Sequence, residues 1–183
     1  MSRLTAREIH TFGELGKRTV KELLISQFVV MTISPPKELW VVSPWIRDFP
    51  LLDDPSEPFR FIGWEKPVMY FSDLVSLIVN SGTKLNLVVT KDEKNITFLT
   101  RLSDLVLDSA DCKFGYSDTL HLKGLLTEEV YLKGSMNFTY RGTYVNDEGV
   151  SYETSSEIVS NSRQQFRNHY KDVLAPWDSW NNG

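Results

Sequence analysis

Between residues 39 and 116, short apolar runs rich in β-formers alternate with stretches of helical period. That alternation restricts the chain to a sheet with helices packed on it. LWVV at 39–42, bounded by Pro36 and Pro44, reads as a buried strand. Ser72 and Asp73 can then cap a helix carrying Leu74, Val75, Leu77, Ile78 and Val79, and Ser81-Gly82 stops it, because glycine accepts the left-handed backbone of a helix end. Residues 85–89 form the next strand. Phe98, Leu99, Leu102, Leu105 and Val106 recur at helical intervals, and 112–116 is a third strand. The order strand, helix, strand, helix, strand is the α/β pattern.

Outside this block the patterns change. Thr5-Ala6-Arg7-Glu8 has capping-box spacing, and Ile9, Phe12, Gly16, Val20, Leu23 and Leu24 follow at helical intervals. They predict a first helix from about residue 6 to the mid-20s, weakened by Gly13 and Gly16. The proline-rich segment from Pro44 to Pro67, with several aromatics and no sustained period, reads as one long loop, the place to look for specificity. LHLKGLLT and VYLKGS are two strand-like runs separated by Glu128-Glu129, consistent with a hairpin. Residues 150–153 suit another strand. Ile158, Phe166, Tyr170, Val173 and Leu174 predict a last amphipathic helix closing at Pro176. There is no internal repeat, and the expected organisation is a single domain over 1–183, with an N-terminal helix and lead-in over 1–36 and a core over 37–183.

Charge and cysteine usage narrow the function classes. Twenty Lys and Arg against 24 Asp and Glu give a net charge of -4, unlike a non-specific nucleic-acid coat protein, so any phosphate binding must be local. The single cysteine, Cys112, cannot form an intrachain disulfide, and three histidines with one cysteine offer no structural zinc spacing. The N-terminal MSRLTAREIH is polar, and the longest low-charge run, 23–36, is shorter than the ~20 residues of a membrane span. These features point to a cytoplasmic protein with no membrane partner.

One constellation carries chemistry: His121-Leu122-Lys123, Glu128 five positions after the lysine, Gly134-Ser135-Met136-Asn137, and Asn146-Asp147-Glu148. It resembles the HKD motif of the phospholipase D superfamily, in the form H-x-K, an acidic residue, G-S-x-N and then N-x-E. With residue frequencies of about one in fifteen, four further matches at fixed offsets from a given histidine arise by chance less than roughly once in ten thousand. His169-Tyr170-Lys171 is also H-x-K, but it has no G-S-x-N after it and reads as surface helix. The resemblance is sharp over 114–153 and extends from about residue 37 onward. It implies a phospholipase D-like α/β sandwich, a mixed central sheet flanked by helices.

The residue types suit phosphodiester chemistry. A phosphodiester is an anion that repels nucleophiles, so attack needs cationic and hydrogen-bonding groups on its non-bridging oxygens, a role that fits Lys123 and Asn137. On an extended strand His121 and Lys123, two apart, point to the same face, and the turn at Gly134-Ser135 could bring Ser135 and Asn137 beside them. An imidazole nitrogen can attack phosphorus to give a phosphohistidine, splitting one displacement into two. The resemblance implies that Glu148 orients the histidine through its second ring nitrogen, and that Glu128, where the family usually has Asp, is structural. No metal and no cofactor are required.

The family mechanism uses two such motifs, and this chain has one. The resemblance therefore implies an isologous homodimer, with His121 and its symmetry mate on one phosphate. Short single-motif members are most often bacterial nucleases, so the expected reaction is metal-independent cleavage of nucleic acid, DNA ahead of RNA. Residues 113–141 carry a net charge of only +1, which suggests that a partner protein supplies part of the nucleic-acid affinity. The LWVVSPWIRDFPLLDD segment also resembles phospholipase D-like proteins of bacterial DNA-modification and anti-phage defence clusters, the DpdK-like proteins among them. Two other classes stay open: a phosphodiesterase acting on a lipid head group or small diester, and a non-catalytic dimeric module that binds phosphate within a larger complex.

Overall fold

The computed structural model describes residues 5–53 and 64–177. Its main sheet has eight strands in the order β1-β9-β8-β7-β2-β5-β6-β10. These strands are β1 (Ala6–His10), β2 (Glu38–Val42), β5 (Lys84–Val89), β6 (Cys112–Tyr116), β7 (Gly124–Leu126), β8 (Tyr131–Gly134), β9 (Gly149–Glu153) and β10 (Ala175–Pro176). The central strands β2, β5 and β6 run parallel, and every other pairing is antiparallel. All five residues of β2 are buried, as expected of a parallel strand covered on both faces.

Helices α1 (Gly13–Ile33), α2 (Phe71–Asn80) and α3 (Glu93–Leu105) cover one face, and α5 (Ser156–Tyr170) covers the other. The short α4 (Tyr140–Tyr144) lies between β8 and β9. The α/β sandwich with a mixed, helix-flanked sheet is therefore as the sequence implies. On the α1–α3 face the core centres on Phe71, the first residue of α2. Its ring stacks on Phe49 (5.3 Å), Phe98 (5.5 Å) and Phe138 (5.5 Å) and meets Phe28 edge-on (5.6 Å). The opposite face packs Trp40, Val42, Leu126 and Tyr131 against Val159, Phe166 and Tyr170 of α5.

Four expectations need correction. Residues 6–10 are not helical: they form edge strand β1, paired from Ala6↔Glu153 to His10↔Gly149. The helix starts only at Gly13, whose φ of 74° turns the chain, and a Cβ on Gly16 would sit 2.2 Å from the His10 carbonyl oxygen. Ladder bonds to β9 outweigh the local capping option that Thr5 and Glu8 suggest.

Helix α2 begins one residue before Ser72. Asp73 accepts the Tyr70 N–H at 2.9 Å from within the first turn, while the Ser72 N–H goes to Asp48 at 3.0 Å. The stop at Gly82 (φ 98°) is as read. The 44–67 loop is not structureless throughout, since β3 (Pro50–Asp53) pairs with β4 (Val68–Tyr70) in a separate two-stranded sheet; 54–63 lie outside the described residues. Finally, α5 ends at Tyr170, and Ala175–Pro176 pairs with β6, where an edge position tolerates a proline.

Helix α5 is pinned to β2 by charge. The Glu38 side chain is only 8% exposed, and its Oε2 accepts from Arg167 Nη2 at 2.6 Å and from Arg163 Nη2 at 3.4 Å, while Asn86 donates to Oε1 at 3.0 Å. Burial pushes this carboxyl up, but Arg167, with smaller contributions from Trp40 and Arg163, more than offsets it, and together they hold the group below the usual carboxylate range. A depressed folded-state pKa adds stability that is complete above the unfolded value of about 4.3 and is lost as pH falls through the folded value. In urea unfolding, the advantage of wild type over Glu38→Gln should thus be constant above about pH 5 and shrink on further acidification. An advantage independent of pH would mean that Glu38 acts by packing alone.

Candidate active site

The motif segments gather where the parallel strands end. Gly124, first residue of β7, pairs with Val42, the last residue of β2, and with Lys133 near the end of β8. His121-Leu122-Lys123 therefore arrives at the C-terminal end of β2, where Ser43 also leaves the sheet. Strand β8 ends at Gly134 and β9 begins one residue after Glu148, at the same end. In open α/β sheets this is the end where loops converge on a ligand.

Gly134 and Gly149 hold the two strands at close range. A Cβ on Gly134 (φ 156°) would lie 2.0 Å from the Gly149 carbonyl oxygen. The contact puts Ser135 against β9: its N–H donates to the Gly149 carbonyl and its Oγ accepts the Gly149 N–H, both at 3.0 Å. The Ser135 hydroxyl in turn donates a short hydrogen bond to Glu148 Oε2. Asn146 Nδ2 donates to the other carboxylate oxygen at 3.3 Å, and the Glu148 residue is buried.

His121 and Lys123 are not on a strand, because the β7 ladder starts only at Gly124. They lie on the lead-in, where the Lys123 ammonium folds back to donate to the His121 carbonyl oxygen at 2.7 Å. The His121 side chain is exposed and, among the described residues, its ring makes no hydrogen bond. The structure thus brings Ser135, Glu148 and Asn146 into direct contact but does not join Glu148 to the His121 of the same chain. Glu128 lies at the far end of the sheet. Its carboxylate accepts the Lys37 N–H at 2.6 Å and the Glu38 N–H at 3.4 Å, tying the β7–β8 turn to the start of β2.

Two positioning residues escape a reading of the sequence. Thr11, fully buried between β1 and α1, exchanges backbone and side-chain bonds with the acidic loop: Glu148 N–H to Thr11 Oγ1 at 2.6 Å, Thr11 N–H to the Glu148 carbonyl at 2.9 Å, and the Thr11 hydroxyl to the Asn146 carbonyl at 3.0 Å. Ser43 Oγ stands 3.2 Å from Asn137 Oδ1 and 2.8 Å from the Trp45 carbonyl. The Arg47 N–H donates to the Phe138 carbonyl at 2.9 Å, so the segment after β2 runs alongside Asn137. Nothing local in the sequence marks either residue, because each partner is about a hundred positions away. Among the described residues, no three His, Cys, Asp or Glu side chains converge as a metal site.

Comparison with protein-family models and with characterised protein sequences returns no match. Solved structures do match. NucT from Helicobacter pylori superposes with a TM-score of 0.60 at 9% identity, covering 93% of this chain and 99% of that one. Nuc from Salmonella typhimurium, a phospholipase D family member, gives 0.58 at 9% identity over 93% and 96%. The fold is the one these two proteins share, the second of them a phospholipase D family member. Phosphatidylserine synthase from Haemophilus influenzae shares it at a TM-score of 0.53 and 11% identity, with this chain covering 93% of itself and only 39% of the synthase. In this fold the H-x-K, G-S-x-N and N-x-E segments all meet at one end of the sheet, and Glu128 lies at the other.

Proposed function

We propose that this protein is a phosphodiesterase, and more specifically a metal-independent nuclease that works as a homodimer through a phosphohistidine intermediate. The observation that carries this reading is the gathering of His121, Lys123, Ser135, Asn137 and Glu148 at the C-terminal end of the central strands of a phospholipase D fold. His121 is the nucleophile on phosphorus. As the nitrogen–phosphorus bond forms, the bond to the leaving oxygen breaks, and the second subunit's His121 gives that oxygen its proton and later activates water. Lys123 and Asn137 take the negative charge of the non-bridging oxygens, and for this Lys123 exchanges its internal carbonyl contact for the phosphate.

Glu148, fixed by Ser135, Asn146 and Thr11, is the acceptor for the second ring nitrogen of a catalytic imidazole. That contact forms on pairing of the subunits. The exposed His121 ring supports this order of events. The setting we favour is cytoplasmic DNA modification or phage defence, with DNA ahead of RNA as substrate and a partner protein contributing affinity. Among the described residues no helix is long and apolar enough to cross a membrane.

The test is cleavage in EDTA of labelled single- and double-stranded DNA and RNA, with phosphatidylcholine vesicles and bis(p-nitrophenyl) phosphate alongside, on a sample sized in solution. The expected result is a dimer that cleaves nucleic acid at an unchanged rate with EDTA present. Cleavage of the lipid alone would replace nuclease by phospholipase. A folded protein that binds phosphate and cleaves nothing would make the site a binding module.

A further inference from the structure

Beside Asn137 lies a pocket of about 350 Å³ whose chemistry the proposed reaction leaves unused. Trp45, Arg47, Lys94, Asn137, Tyr140 and Arg141 line it, together with two neutral polar residues. Three of its eight lining residues are cationic, two are aromatic and none is acidic, in a chain whose net charge is -4. This concentrates positive potential next to the candidate site rather than along a stripe.

The two rings are presented for contact. Trp45 is 49% exposed and Tyr140 54%, far apart in sequence yet on one cavity. Both are held by their backbones: Trp45 by Ser43 and the pairing of Ile46 with Phe138, Tyr140 as the first residue of α4, capped by Thr139. Tyr140 is also backed by Tyr144, at 5.0 Å, whose hydroxyl donates to the Pro50 carbonyl at 2.6 Å. Rings braced in this way lose little freedom when a planar group stacks on them. Arg47 is committed to Asn95 Oδ1 at 2.6 Å and to Asp92 at 3.4 Å, which leaves the exposed Lys94 and Arg141 as the charges turned to solvent.

We propose that this pocket is a nucleoside subsite for an unpaired strand. One base stacks on Trp45 or Tyr140, the flanking phosphate meets Lys94 and Arg141, and the scissile phosphate lies beyond at Asn137; the assignment rests on the nuclease reading above. A duplex keeps its base faces stacked on one another and is held mainly by many phosphate contacts, which a single cluster of cations does not supply. An unpaired base offers the face that exposed aromatics recognise, whatever its identity. The aromatic content of the 44–67 segment thereby acquires a specific member, Trp45.

Fluorescence anisotropy with a labelled short oligonucleotide, as single-stranded DNA, single-stranded RNA and the DNA duplex, tests this on the full chain in low salt. The single strand should bind about tenfold tighter than the duplex, and Trp45→Ala and Tyr140→Ala should each weaken it about tenfold, whereas Trp45→Phe stays within about threefold. The tighter of the two single strands names the sugar. Thermal unfolding should stay at the wild-type temperature in all three variants, so that weaker binding reads the lost ring and not a lost fold. Equal binding of duplex and single strand, or alanine variants that bind like wild type, would overturn the subsite. A wild type that hydrolyses no diester would instead overturn the nuclease reading, while the binding data would still decide the pocket.

Discussion

His121→Ala should abolish EDTA-resistant phosphodiester cleavage, lowering kcat by about 10⁴-fold or more, with the fold and the dimer intact. The size of the effect follows from the role. A residue that forms the covalent bond cannot be replaced by its neighbours, and in a dimer with two such residues on one phosphate the same substitution removes both the nucleophile and the acid. The fold should be indifferent, because His121 is exposed on a segment outside the β7 ladder and its ring makes no hydrogen bond among the described residues. Single-turnover cleavage with thermal melting in parallel checks both halves. Lys123→Ala should fall short of this loss, since it removes charge stabilisation and not the bond-forming atom.

Phe71→Ala should destabilise the protein by about 3–5 kcal/mol, read as a shift in the urea midpoint at constant slope. Phe71 is 1% exposed and contacts four other aromatic rings, contributed by α1, the segment before β3, α3 and the residue after Asn137. Removing it leaves a void bounded by rings that cannot all move inward, the situation in which cavity and transfer costs add. The consequence for activity is specific. Phe138 stacks on Phe71 at an interplanar angle of 3°, and Asn137 is the next residue. Loosening Phe138 should therefore lower kcat through Asn137 at temperatures where the variant is still folded. A truncation of the other core, Val159→Ala in α5, should destabilise without this excess loss of rate.

The contrast between those two cores also explains what the sequence made legible. Strand β2 is buried along its whole length and β5 in five of its six residues, so each leaves a short apolar run, LWVV and LVV, that can be read without a partner, and Gly82 marks the intervening helix end. Edge strands carry no such mark. In β1 only Ile9 is buried, and Thr5-Ala6-Arg7-Glu8 imitates a capping box, so local pattern favours a helix that pairing with β9 overrides. The two residues of β10 are too few to show any period.

The site divides in the same way. The H-x-K, G-S-x-N and N-x-E elements are legible because their spacing is local, and the turn at Gly134 delivers Ser135 to Glu148 within fourteen positions. Thr11 and Ser43 act on Glu148 and Asn137 from 137 and 94 positions away, a relation that only the folded sheet creates. The expectation that His121 and Lys123 share a strand face fails by one residue, since the ladder begins at Gly124.

In the proposed mechanism a covalent bond forms between His121 and phosphorus. An oligonucleotide carrying radioactive phosphate at the scissile position, mixed with excess protein in EDTA and quenched in alkali within one turnover, should leave label on the protein, in a linkage that survives alkali and is released by acid. The same experiment with His121→Ala should leave none. Cleavage by wild type with no labelled protein at any quench time, or equal labelling of the variant, would contradict the mechanism.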